Sequence, residues 1–370
     1  MRFLVTGGGT GGHVYPALAI ARGLREAVSG AEILYVGTKK GLEARVVPQA
    51  GFNFTTITVE GFERRLFWRN IPRLGRLAVG LAQALAILRR FRPGVVVGTG
   101  GYVCGPVCLA AAFLKIPLVL HEQNAHPGLT NRVLAQFART VCLTFAEATH
   151  RLPRRPEIVV TGLPVRSEIL QTSADEGRRF FNFRPDQTVL LATGGSQGAK
   201  SLNEAMLPVI REVARRPDIA LIHLTGQNGY EAVRHEVEKA GIRLDANGNI
   251  RLLPYLYEME YALAASDLVI GRAGASFLAE ITARGLPAIL IPYPYAAANH
   301  QEHNARFLAR KGAAMVIPDR ELRGHRLWEA VQRLLEDRQK LAAMAVASAA
   351  LGKPRALEEI IKVILAAGRF

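Results

Sequence analysis

The chain reads as an α/β protein made of two doubly wound halves, and three observations predict this. Short runs that are apolar at consecutive positions alternate with helix-length segments along the whole chain, as parallel strands covered on both faces require. RFLVTGGGTGG at residues 2–12 is echoed by TVLLATGGSQG at 188–198, each a strand running into glycines and then a helix. At 370 residues with 49% apolar content, the chain is long enough for two cores.

In order, the predicted strands of the first half are Phe3 to Thr6, Ile33 to Gly37, Val95 to Gly98 and Pro117 to His121. Those of the second are Val189 to Ala192, Ala220 to Leu224, Leu268 to Ile270 and Ala288 to Ile291. Thr161 to Asp186 mixes glycine, prolines and charges and is read as a linker. The expected division is 1–163, 164–345 and a C-terminal segment 346–370, whose helical pattern over Arg355 to Ala367 would pack back on the first domain. In such sheets ligands bind beyond the carboxyl ends of strands, so the strand-following loops of the two halves are expected to face each other across a cleft.

Lysine and arginine exceed aspartate and glutamate by 16, and the excess is lopsided: residues 1–166 carry +13, contain no Asp, and leave only +3 for the rest. An anionic partner or surface is implied. Cys104, Cys108 and Cys142 give neither a disulfide framework nor a Cys-x-x-Cys site, which suits a reducing cytoplasm. After Met1 no apolar run is long enough to read as a signal peptide, and the longest apolar stretch, Leu77 to Leu88, is too short for a membrane span.

Gly7 to Gly12 matches G-x-G-x-x-G, but the strand Ile33 to Gly37 ends in Gly37-Thr38-Lys39, without the acid that would hold a dinucleotide ribose. A nicotinamide site is therefore disfavoured, while an anion at the following helix N-terminus is not. His13, at the mouth of that helix, is either a general base or a helix cap. Gly194-Gly195-Ser196-Gln197-Gly198 has three readings: a nucleophile elbow with Ser196, an imperfect phosphate loop, or amides cradling a diphosphate.

Arg272-Ala273-Gly274-Ala275-Ser276 with Glu280, and Asn299-His300-Gln301 with Asn304, supply a carboxylate and amides suited to a ribose and a hydroxyl-rich sugar, or else ordinary caps. No Asp-x-Asp occurs, so no metal is expected, and a leaving phosphate would rely on amides, helix dipoles and arginine, with Arg166 a candidate. From Gly61 to Pro93, Leu74, Leu77, Leu81, Leu85 and Leu88 mark a helix stripe facing the core. Phe67, Trp68 and Ile71, interleaved with Arg64, Arg65, Arg69 and Arg73, suit an anionic membrane surface. Nothing resembles a nucleic-acid module.

GGGTGGHVYPALA, GGYVCGP, HEQNAHPGLTN, GGSQGA, RAGAS followed by Glu280, and NHQEHNA occur in one order, and from about residue 4 to 317 the chain resembles the MurG family of peptidoglycan glycosyltransferases. The resemblance implies a GT-B fold and inverting transfer of GlcNAc from UDP-GlcNAc onto lipid I, undecaprenyl-pyrophosphoryl-MurNAc-pentapeptide, without a cofactor, at the cytoplasmic face of the cell membrane. It implies that the N-terminal domain takes the acceptor, with its pyrophosphate near Gly7 to Gly12, and that the C-terminal domain takes the donor.

By the same resemblance, Thr10, Gly11 and Gly12 touch the donor side, Asn124 and Gln301 read GlcNAc hydroxyls, and Ser196 and Arg166 contact the diphosphate. Ala275, Ser276, Phe277, Leu278, Ala279 and Glu280 would wrap phosphate, sugar and ribose, with the main chain at Leu256 reading uracil. His13 would be the base; Tyr102 and Glu122 would orient it or touch the acceptor, Glu122 being a rival base. The chain departs from the pattern at Phe277, where threonine is usual, Leu163, where asparagine is common, and Cys104, where serine is frequent. The competing readings are a UDP-GlcNAc 2-epimerase relative, a serine hydrolase built on Ser196, and a non-enzymatic peripheral membrane binder.

Overall fold

The computed structural model describes residues 1–61, 71–242, 244 and 248–368. It divides into two compact units, Met1–Pro164 with Arg355–Phe370, and Val165–Pro354. The returning segment thus begins at Arg355 rather than at residue 346, because the helix Arg338–Leu351 packs with the second unit. The region read as a linker is folded: helices Ser167–Gln171 and Ala174–Phe180 occupy it, the latter opened by a capping box between Ser173 and Glu176.

The first unit holds a parallel sheet of β1 (Arg2–Thr6), β2 (Glu32–Gly37), β3 (Asn53–Thr56), β4 (Val95–Gly98), β5 (Leu118–Glu122), β6 (Thr140–Leu143) and β7 (Glu157–Val159) in the order β3-β2-β1-β4-β5-β6-β7. Successive residues of a strand face opposite sides. Val95 and Val97 therefore pack under helix Gly11–Ala27, and Val96 under helices Ile71–Phe91 and Cys104–Phe113. The helix Ala356–Ala367 closes the first of these cores with Ile360, Ile361 and Ile364. Leu77, Leu81, Leu85 and Leu88 pack on the second, as a core stripe should. The side chains of Leu74 and Ile71, and all of Arg64, Arg65, Phe67, Trp68 and Arg69, lie outside the described residues.

The second unit repeats the plan with β8 (Thr188–Thr193), β9 (Ile219–Leu224), β10 (Ile250–Leu253), β11 (Leu268–Gly271), β12 (Ala288–Leu290) and β13 (Ala314–Val316), ordered β10-β9-β8-β11-β12-β13. In each sheet the strand order reverses beside the strand that runs into the glycine loop, between β1 and β4 and between β8 and β11. Those two switch points are where such sheets leave a crevice for a ligand.

Candidate functional site

At the first switch point the loops after β1 and β4 lock together. Gly8 N–H donates to Gly100 O at 3.4 Å, and Gly101, with φ +83°, lies so close to the Gly8 carbonyl that any side chain there would collide with it. Behind the loop lies Glu43, a fully buried carboxylate that accepts from Gly9 N–H at 3.3 Å, Thr38 N–H at 3.1 Å and Thr38 Oγ1–H at 2.7 Å. Two loop amides are thus turned inward. Those of Thr10, Gly11 and Gly12 have no partner among the described residues, and they open the helix Gly11–Ala27, which has no acidic residue in its first turn. Free amides at a helix start form an anion site.

His13 follows at once, half-buried, with Nδ1 3.0 Å from Thr99 O and 3.1 Å from Gln123 Oε1. Its Nε2 has no partner among the described residues. Tyr102 leans on Gly9, with its hydroxyl 3.4 Å from Thr38 Oγ1. Glu122 is buried and accepts from Asn124 N–H at 2.9 Å, Asn124 Nδ2–H at 3.3 Å, Gly128 N–H at 3.1 Å and Asn131 Nδ2–H at 2.9 Å. Four donors on one carboxylate fix it as an acceptor that staples the loop after β5. Cys104 sits beneath, its thiol donating to Gly100 O at 2.9 Å. The first unit therefore brings together His13, Tyr102, Glu122, Asn124 and the Thr10–Gly12 amides.

At the second switch point the glycine loop lines a cavity of about 860 Å³ with the segments after β10, β11 and β12. Ser196, Leu256, Phe277 and Gln301 of the sequence-derived set line it. Gln301 Oε1 accepts from Tyr293 N–H at 3.0 Å, and the Phe277 ring packs on Gly271. Ala275, Ser276, Leu278, Ala279, Glu280 and Arg166 are not among the lining residues; Leu278 is buried and Ser276 is exposed. Arg166 instead lies 3.7 Å from Glu260 and 4.0 Å from Glu280. Burial, which outweighs the Arg166 guanidinium, pushes the Glu280 carboxyl up to about 7, with Glu260 adding to the rise.

Sequence reasoning missed several residues. In the cavity wall Arg272 donates to Asp319 Oδ1 at 2.6 Å and to Ser201 Oγ at 3.0 Å, while Ser201 donates to Asp319 at 2.7 Å, a triangle in which Asp319 lies 47 residues downstream of Arg272 and 118 downstream of Ser201. Tyr255 and Tyr257, and Tyr293 and Tyr295, form two edge-on pairs, and all four rings are exposed. Alternation among tyrosines in PYLYEM and PYPY was the available signal for these. Glu43 and Gln123 gave none beyond the stretches they sit in. Among the described residues no three His, Cys, Asp or Glu side chains gather as metal ligands, and no helix is long and apolar enough to cross a membrane.

Comparison with known proteins adds the following. Residues 3–143 match the glycosyltransferase family 28 N-terminal domain and residues 189–360 the glycosyltransferase family 28 C-terminal domain. The UDP-N-acetylglucosamine–N-acetylmuramyl-(pentapeptide) pyrophosphoryl-undecaprenol N-acetylglucosamine transferase of Moorella thermoacetica is 61% identical over 99% of this chain and 98% of its own length. Its namesake in Desulforamulus reducens is 50% identical over 98% of each. The crystal structure of Acinetobacter baumannii MurG superposes with a TM-score of 0.82 at 30% identity, covering 99% of both chains. A Neisseria meningitidis UDP-GlcNAc 2-epimerase bound to UDP-GlcNAc shares the fold alone, with a TM-score of 0.69 at 15% identity over 99% of this chain and all of its own.

Proposed function

The chain belongs to glycosyltransferase family 28, with the two-domain α/β fold of the GT-B class, and from that premise we infer that it is an inverting N-acetylglucosaminyltransferase of peptidoglycan synthesis. It moves GlcNAc from UDP-GlcNAc to the 4-hydroxyl of MurNAc in lipid I, giving lipid II and UDP. The observation that carries this is the likeness along the whole chain to N-acetylglucosamine transferases named for those two substrates.

His13 is the base in this reading. The acceptor's pyrophosphate rests on the free amides of Thr10, Gly11 and Gly12, and its 4-hydroxyl gives its proton to Nε2 of His13 while the oxygen attacks the anomeric carbon. The bond from that carbon to the diphosphate breaks and its electron pair leaves with UDP. Amides of the Gly194 to Ala199 loop, Ser196 and Arg166 stabilise the departing charge. The main chain at Leu256 meets uracil, Glu280 accepts from ribose hydroxyls, and Gln301 and Asn124 read the sugar. Glu122, committed to four donors, is the weaker rival for the proton.

The chain works peripherally at an anionic cytoplasmic membrane surface. Supporting this are the +13 charge of residues 1–166 and the exposed Val79 and Phe113 on two helices packed together. Incubation with UDP-GlcNAc and a short-chain lipid I analogue should yield a disaccharide product. A 2-epimerised sugar formed without acceptor, and no disaccharide with it, would replace this reading by the epimerase one.

A further inference from the structure

Gln123 is almost fully buried beneath His13, and its contacts leave its carboxamide one orientation. The amide nitrogen lies 2.9 Å from Thr99 O and 3.0 Å from His121 O, atoms that only accept, and 3.1 Å from His121 Nδ1. That end is therefore the NH2 group, and the end 3.1 Å from His13 Nδ1 is the carbonyl oxygen. His121 agrees with this direction. Its Nε2, 2.9 Å from Gly162 O, must carry the proton, which leaves Nδ1 to accept from Gln123. Complete burial brings the His121 pKa down to about 4, so the ring stays neutral and the chain of bonds does not reverse near neutral pH.

His13 Nδ1 consequently faces two acceptors, Gln123 Oε1 and Thr99 O, and no donor. We propose that Gln123 is a positioning residue that holds His13 in the Nδ1–H form, so that the lone pair on Nε2 meets the acceptor hydroxyl, and whose amide oxygen stabilises the imidazolium formed when that proton arrives. The proposal deepens the reading of His13 as base and rests on it. It gives a neutral amide, oriented by a neutral histidine, the orienting task that a carboxylate performs in hydrolase triads. The group that orients the ring is then itself uncharged.

The test uses the full chain labelled with 15N-histidine, His13 being assigned from the spectrum of His13→Ala. In the native protein the neutral ring should show a protonated Nδ1 and a bare Nε2. Gln123→Leu should lower kcat by about 10- to 100-fold with KM for UDP-GlcNAc within about twofold, and should admit the Nε2–H form. Gln123→Glu places a carboxylate against Nδ1 and should move the acid limb of the rate profile up by about one pH unit. The other titratable groups on the packed elements are His121, Glu122, Glu43, Cys104 and Tyr102, and all are unchanged in both variants.

A native His13 protonated on Nε2 overturns the proposal by itself, even should neither variant fold. So does loss of rate in both variants with the ring spectrum and the acid limb unmoved. Full activity of His13→Ala instead overturns the underlying base reading, an outcome the spectrum cannot produce.

Discussion

The two glycine loops are spelled alike and built differently. After β1, side chains of the same unit fill the space around the glycines: Glu43 behind Gly8 at 2.7 Å from where a Cβ would stand, Thr99 against Gly7, and Tyr102 over Gly9. After β8, a Cβ on Gly195 would meet nothing within 4 Å, and the loop opens on a cavity of about 860 Å³. Glycine in the first loop lets polar groups close in and hold one imidazole in one orientation. In the second, Gly194 and Gly198 let the backbone of Ala199 and Thr225 come close, and Gly195 leaves room. A base needs the former and a nucleotide the latter, so the contrast separates orienting from accommodating.

The largest effect that would sharpen this contrast is on rate. His13→Ala should reduce transfer by about a thousandfold while UDP-GlcNAc still raises the melting temperature as in the parent protein. If thermal protection by the donor vanished too, the two loops would not be separate in function. Next comes Arg272→Leu, which leaves the Asp319 carboxylate, itself one-fifth exposed, without its cation. A loss of about 3 kcal/mol in denaturant titration and weaker UDP-GlcNAc binding are expected, with the His13 ring spectrum unaltered.

Smaller is the effect of Glu280. Its folded pKa of about 7 stands above the ordinary glutamate value of 4.5, so the native state binds the extra proton between those values and stability falls as pH rises through that window. With solvent screening the one-fifth-exposed side chain, the loss is on the order of 2 kcal/mol, and a flat stability profile from pH 4.5 to 7 in Glu280→Gln would match it. Smallest is Phe113→Ser: this ring is 70% exposed, so stability should stay within about 0.5 kcal/mol while partitioning onto anionic vesicles weakens by about 1 kcal/mol, or roughly fivefold. Equal partitioning of both proteins would remove Phe113 from the membrane face.

The interior of each sheet was legible and the margins were not. All eight strands read from consecutive apolar residues are present, whereas β3, β7, β10 and β13, which went unread, are the four sheet edges. NFTT, EIV, IRLL and AMV are short, and an edge is half solvated, so it need not be continuously apolar. The fifth unread strand, β6, is fully buried, yet TVCL mixes threonine and cysteine into the run and lacks the plain signature.

At the site, motifs drew the eye to residues beside free amides, His13 and Ser196 among them. What packs behind a motif is set by long-range contacts that leave no local period. Glu43 meets Gly9 across 34 positions and Asp319 meets Arg272 across 47. Gln123 stands inside HEQNAHPGLTN, yet only the surrounding carbonyls reveal which way its amide points.

The helix Ala356–Ala367 has a consequence for how the molecule comes into being. It belongs to the unit whose strands are made first, so the second unit is an insertion bounded by Pro164 and Pro354. During synthesis the inserted half can finish its core while Phe3, Val5 and Val95 still await Ile360 and Ile364. The part that carries His13 is begun first on the ribosome and sealed last, so a chain that stopped at Pro354 would release the second unit whole and leave the first unsealed.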